Sequence, residues 1–230
     1  MRVAMVFLVL LFLSGSAAPG ANSVQPVLPL TLIAAPQQNN LPLIFMISGD
    51  GGWTRFDQSL SLELASKGFS VLGLDARKYF WKAKSPDEAS KELNKALSRY
   101  LVVTGKNSLV MAGYSFGASV IPFIAVRLPA DLKANLKAVI ALSPDVRADF
   151  EVQLIYWLNF GKNKDQYQVI AAMKSMMPLI PVSIFGAAEG DKIKSKFAAE
   201  GMKVVTIPGD HHFDKDYEHL GKVFIKQIPD

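Results

Sequence analysis

The chain has 230 residues, of which half are hydrophobic, one fifth charged and none cysteine, with a formal net charge of +5. That length and apolar content suit one globular domain with a sizeable core and exclude a disordered or low-complexity chain. The positive balance is too small to argue for either an anionic membrane surface or nucleic acid as partner, and without cysteine no disulfide can form.

Arg2 is followed by an apolar run, Val3–Leu13, and then by the small residues SGSAAPGANS. Cationic, apolar and small segments in that order are the pattern of a cleaved signal peptide, expected over 1–20. The apolar run is too short to span a bilayer comfortably. Arg2 is the one charged residue in 1–20, so its removal takes +5 to +4. Export of a chain that cannot form disulfides suits a bacterial periplasm.

Residues 21–41 are rich in Pro, Asn and Gln and hold one edge strand, Leu30–Ala34, before the turn-like PQQNN. From residue 42 onward strands and helices alternate. Strands are expected at Leu43–Ile47, Phe69–Leu74, Ser108–Ala112, Leu136–Leu142, Leu179–Phe185 and Val204–Ile207. Helices are expected at Phe56–Lys67, Pro86–Val103 (with Ser85 as N-cap), Phe116–Leu128 (weakened at Pro122), Gln166–Met176, Lys192–Ala199 and Tyr217–Gln227. Strands apolar throughout and separated by helices indicate an α/β fold, a mostly parallel sheet covered on both faces. In such sheets the site lies at the carboxyl ends of the strands. Those ends carry SGDGGW (48–53), DARKYFW (75–81), GYSFGA (113–118), SPDVR (143–147), GAAEGDK (186–192) and PGDHHFD (208–214).

G-x-S-x-G between a strand and a helix is the nucleophile elbow of the α/β-hydrolase fold, and Ser115 occupies its centre. The bland reading is that the two glycines only let a strand pass close to a helix. A serine nucleophile needs a base and the base an orienting acid, in the chain order Ser, acid, His. The three histidines, His211, His212 and His219, all lie near the C-terminus. His211 is preferred as the base because it is nearest the strand end at Gly209, with His212 as alternate and His219 expected in a helix. Asp191 is expected as the acid, with Glu189 and then Asp145 as alternates. Asp191 also reads as a plain cap of the helix that follows.

SGDGGW stands where an oxyanion loop belongs, and the backbone N–H groups of Asp50 and Phe116 are expected to receive the developing alkoxide. It lacks the Lys–Ser/Thr that completes a phosphate loop. DHHFDKD (210–216) has no second ligand set upstream, so no metal or cofactor is implied. Residues 143–178 leave room for only a small lid.

SGDGGW, YFW followed by SPDEAS, GYSFGA with the downstream PF and RLP, SPD, and GDHHFDKDY together resemble the VirJ/AcvB bacterial virulence protein family over roughly 41–230. Two positions depart from that pattern: Ser119 stands where an aspartate is expected and Asp210 where a glycine is. The resemblance implies a periplasmic serine hydrolase with an α/β-hydrolase fold. It further implies the aminoacyl ester of lysyl-phosphatidylglycerol as substrate, a lipid at the membrane surface, and a link to virulence or type IV secretion. The other readings are a non-enzymatic periplasmic accessory of secretion proteins on a hydrolase scaffold, and a generic carboxylesterase or thioesterase. On the lipid reading Asp50 or Asp145 would receive the ammonium. Lys82 and Lys84, or Lys192, Lys194 and Lys196, would meet the phosphate or the anionic bilayer, and Tyr79, Phe80 and Trp81 would sit exposed at the interface.

Overall fold

A computed structural model describes residues 27–152 and 167–229. The expected signal peptide and part of the expected lid (153–166) lie outside the described residues. The first half runs β1 Leu30–Ile33, β2 Leu43–Ile47, α1 Arg55–Ser66, β3 Val71–Leu74, α2 Ala76–Tyr79, α3 Pro86–Thr104, β4 Leu109–Tyr114 and α4 Phe116–Ala125. The second runs α5 Ala130–Ala134, β5 Leu136–Leu142, β6 Arg147–Ala148, β7 Tyr167–Gln168, α6 Val169–Lys174, β8 Val182–Gly186, α7 Asp191–Ala199, β9 Lys203–Ile207 and α8 Tyr217–Ile225.

Seven strands form one sheet in the order β1-β3-β2-β4-β5-β8-β9. Only β1 is antiparallel to its neighbour; every other pair is parallel. β2 and β4 are buried along their whole length, and the two-residue period of a strand divides their side chains between two cores. Leu43, Phe45, Ile47, Leu109 and Met111 meet α3, α4 and α6 on one face. Ile44, Met46, Val110 and Ala112 meet α1 and α8 on the other. This double covering explains why the strands carry no alternation of polar residues.

Local signals place the helices. Ser85 Oγ accepts from Glu88 N at 3.2 Å, the Glu88 carboxylate accepts from Ser85 N at 2.8 Å, and Pro86 fills the first turn of α3. Thr54 and Asp57 close a similar box at α1, Asp57 Oδ2 accepting from Thr54 N at 2.9 Å.

Several boundaries differ from the sequence expectation. α4 ends at Ala125 rather than Leu128, and a separate turn of helix, α5, follows Pro129. β8 starts at Val182 rather than Leu179, and the stretch before it holds the half-exposed Ile180. α6 starts at Val169, and Gln166, expected to open it, lies outside the described residues. The four-residue α2 and the two-residue β6 and β7 are too short to leave a period in the sequence.

Candidate active site

Ser115 is the residue between β4 and α4, with φ 52° and ψ −110°. A side-chain-bearing residue in that region costs about 1–3 kcal/mol, and such strain persists only where the surroundings over-determine it. Both glycines of the motif are required by backbone contact. A Cβ at Gly113 would lie 2.2 Å from the carbonyl carbon of Gly117, and one at Gly117 would lie 2.1 Å from the carbonyl oxygen of Ile47. Ser115 N donates to Leu142 O at 2.8 Å, tying the turn to the end of β5. The helix that follows leaves the first-turn N–H of Phe116 without an intrahelical acceptor.

His211 reaches the serine from the loop after β9. Its Nε2 lies 3.1 Å from Ser115 Oγ, and its Nδ1 lies 2.8 Å from Glu189 Oε2. The loop is shaped by close backbone packing. A Cβ at Gly186 would sit 2.1 Å from Asp210 O, and Gly209 has φ +113°. Ala187 N donates to Ile207 O at 2.7 Å and Ala188 N to Gly209 O at 2.9 Å, which sets the loops of Glu189 and His211 in register. Past His212 the chain takes three left-handed residues in a row, Phe213, Asp214 and Lys215. Their cost is offset by the buried Phe213 ring and by the Asp210 carboxylate, which accepts from His212 N at 2.6 Å. Asp210 therefore shapes the turn.

The expectation of Asp191 as the orienting acid is corrected by its position in the structure. Asp191 is the first residue of α7, its side chain is 94% exposed, and it pairs with Lys194 at 3.0 Å. Glu189, the alternate, holds the place, because the tight turn after β8 folds its side chain back over the sheet. Its Oε1 accepts from Ser143 Oγ at 2.7 Å and from Gly186 N at 2.7 Å, leaving Oε2 for the imidazole. Burial alone would raise its carboxyl. The bonds from His211, Ser143 and Gly186 N outweigh burial and hold it below the usual glutamate range. The bond to Glu189 raises the His211 imidazole above its ordinary value against the opposing effect of burial, and the charges of Glu189, Asp210 and Asp50 act in the same direction.

The other sequence candidates separate. The exposed His212 ring stands edge-on to Phe56, 6.4 Å between centroids, and 6.1 Å from Tyr114. His219 is exposed on α8. Asp145 turns its carboxylate onto Val146 N. Ser143 was missed as a site residue: SPD gave its position but nothing to show that its hydroxyl would reach Glu189 across the sheet. Ser143 takes φ 53°, and its N–H donates to Ile184 O at 2.8 Å. Ser119, the departure in the elbow helix, is buried and joins two parts of the site. Its hydroxyl lies 3.2 Å from Ser115 O and accepts from Asp145 N at 2.9 Å.

Ser115, His211 and Glu189 open into a cleft of about 620 Å³. Asp50, Phe116, Asp145 and Arg147 line the same cleft. The loop bearing Asp50 is fixed from above. The Trp53 indole occupies the space over Gly73, where a Cβ would lie 2.1 Å from the ring, and its Nε1 donates to Gln58 at 2.9 Å.

The family model for the bacterial virulence protein VirJ matches residues 42–230. The chain belongs to the VirJ family. No curated protein matches it. Among solved structures, this VirJ-family chain is similar to MenH from S. aureus, at 12% identity and a TM-score of 0.63 over 87% of this chain and 98% of that one. It is similar to Est1E from Butyrivibrio proteoclasticus, at 16% identity and a TM-score of 0.61 over 86% and 93%. A dienelactone hydrolase from Anabaena variabilis gives 12% identity and a TM-score of 0.60 over 87% and 92%. At such identities the likeness is one of fold, and by fold the protein is an α/β-hydrolase.

Proposed function

We propose that the protein is a periplasmic serine hydrolase that cleaves an aminoacyl ester, that of lysyl-phosphatidylglycerol. The observation that carries the chemistry is the hydrogen-bonded row Ser115–His211–Glu189 with its serine on a strained elbow. Ser115 Oγ attacks the ester carbonyl while its proton passes to His211 Nε2. The new C–O bond places the alkoxide toward the N–H groups of Asp50 and Phe116. Collapse breaks the bond to the alcohol, which leaves with the proton from His211. Water, deprotonated by the same imidazole, then attacks the acyl-enzyme and releases the free acid. Glu189 holds the Nδ1–H tautomer and stabilises the imidazolium throughout.

Family membership supports the lipid substrate, and the signal-peptide pattern supports the periplasm. The carboxylates of Asp50 and Asp145 on the cleft support an acyl group that carries ammonium, which a neutral acyl chain would not require. The test is incubation of the purified protein with lysyl-phosphatidylglycerol vesicles. Release of free lysine by the parent, and none by Ser115→Ala, is the expected result. Labelling by a fluorophosphonate that persists in Ser115→Ala would overturn the mechanism. Activity confined to short neutral esters would overturn the substrate.

A further inference from the structure

Of the aromatic trio Tyr79–Trp81, the first two are buried and only Trp81 stands in solvent, 53% exposed. That corrects the expectation of three exposed rings and makes the remaining one harder to dismiss. The loop that carries it is fastened at both ends to the wall of the cleft. Val152 N donates to Phe80 O at 2.8 Å and Lys84 N donates to Phe150 O at 3.0 Å, while the Phe80 ring packs edge-on against Phe116 and Phe150. Val152 itself lines the cleft that holds Ser115. The indole is thus displayed by a loop held against residues 150–152, of which Val152 lines the cleft.

Cations surround it. Arg77, Lys78 and Lys82 are exposed. Trp81 shares with Gly51, Trp53, Asp75, Arg77 and Lys78 a concavity of about 540 Å³, and Gly51 is the residue after the cleft-lining Asp50. Lys78 is paired with Asp75 at 3.0 Å, whereas Arg77 and Lys82 make no ion pair among the described residues. Lys84 is committed elsewhere, to Glu92 at 3.0 Å and over the Tyr79 ring. Cations alone would suit any anionic partner. An indole presented beside them suits the headgroup layer of a bilayer, where its apolar body and polar N–H are both satisfied. The acidic cleft would be repelled by an anionic surface, so attraction must come from its rim.

We propose that Trp81 with Arg77, Lys78 and Lys82 docks the protein on an anionic lipid bilayer, the Asp50 side of the cleft facing the headgroups. The esterase reading supplies only the purpose of this docking; the binding does not need Ser115. The test is co-sedimentation of the Ser115→Ala protein with mixed phosphatidylglycerol–phosphatidylcholine vesicles and with pure phosphatidylcholine vesicles. Binding to the mixed vesicles alone is expected, weakened about five-fold by each of Arg77→Ala and Lys82→Ala and about ten-fold by Trp81→Ala. All these proteins share one N-terminus, so the differences belong to the rim. Equal sedimentation of parent and variants, or none with mixed vesicles, overturns the proposal. Should Trp81→Ala fail to fold by circular dichroism, the two surface cation variants decide the matter. Absence of ester hydrolysis by the intact protein would overturn the esterase reading and leave vesicle binding standing.

Discussion

The turn that carries Ser115 and the turn that carries Glu189 hold their side chains by different means. At the elbow, backbone touches backbone: Gly113 lies against Gly117, and Gly117 against Ile47. No side chain could be added there without moving a strand or a helix. Around Glu189 the chain has room on its outer side, since a Cβ on Gly190 would meet nothing within 4 Å. The carboxylate is nevertheless fixed, by donors from Ser143, Gly186 and His211. One group is placed by exclusion and the other by hydrogen bonds. Changes at the first turn should act all at once, and changes at the second in steps.

The sharpest break is at the nucleophile. On the proposed mechanism, Ser115→Ala should lower kcat by about a million-fold on any ester the parent protein hydrolyses, the scale seen when a triad nucleophile is removed, measured by steady-state release of the acid. Glu189→Gln comes next, with a loss of about 10⁴ and a change in pH dependence. His211 must be neutral to accept a proton, and Glu189 raises its pKa. Activity of the parent should therefore fall, as pH drops, at a point above the ordinary histidine value. In the variant that limb should move to lower pH, and a kcat/KM profile checks both.

Gly117→Ala tests placement by exclusion. Its Cβ would lie 2.1 Å from Ile47 O, and about 1–3 kcal/mol of stability should be lost, read as a lowered Tm. Ser143→Ala removes one of the donors on Glu189 Oε1 and should cost about ten-fold in kcat with KM unchanged. Asp191→Asn, at an exposed position, should change neither activity nor stability beyond about 0.5 kcal/mol. A large loss of activity there, with Glu189→Gln silent, would reverse the assignment of the acid.

The same contrast explains what could be read from the sequence. Where sterics dictate residue type, as at Gly113 and Gly117, the letters carry the geometry. The strands of the parallel sheet were legible for a similar reason, because burial on both faces leaves continuous apolar runs such as LIFMI. The acid was not legible. Glu189 and Asp191 are both carboxylates, two positions apart in GAAEGDK, and which one folds back depends on where the turn after β8 meets β9 and Gly209. That contact joins segments distant in sequence. Ser143 and Ser119 were opaque because a serine hydroxyl reaching across strands leaves no pattern. Burial of Tyr79 and Phe80 beside an exposed Trp81 follows from the path of residues 150–152, which no local period encodes.

The indole of Trp53 over Gly73 has an evolutionary corollary. Position 73 lies in the middle of β3, where a β-branched residue would ordinarily be favoured, yet any side chain there would collide with the ring. Loss of the indole would leave a hole that only a larger residue at 73 could fill. The two positions are thus expected to change together among descendants of this chain, and a lineage that exchanged both would gain a loop around Asp50 free to take a new course over the same sheet.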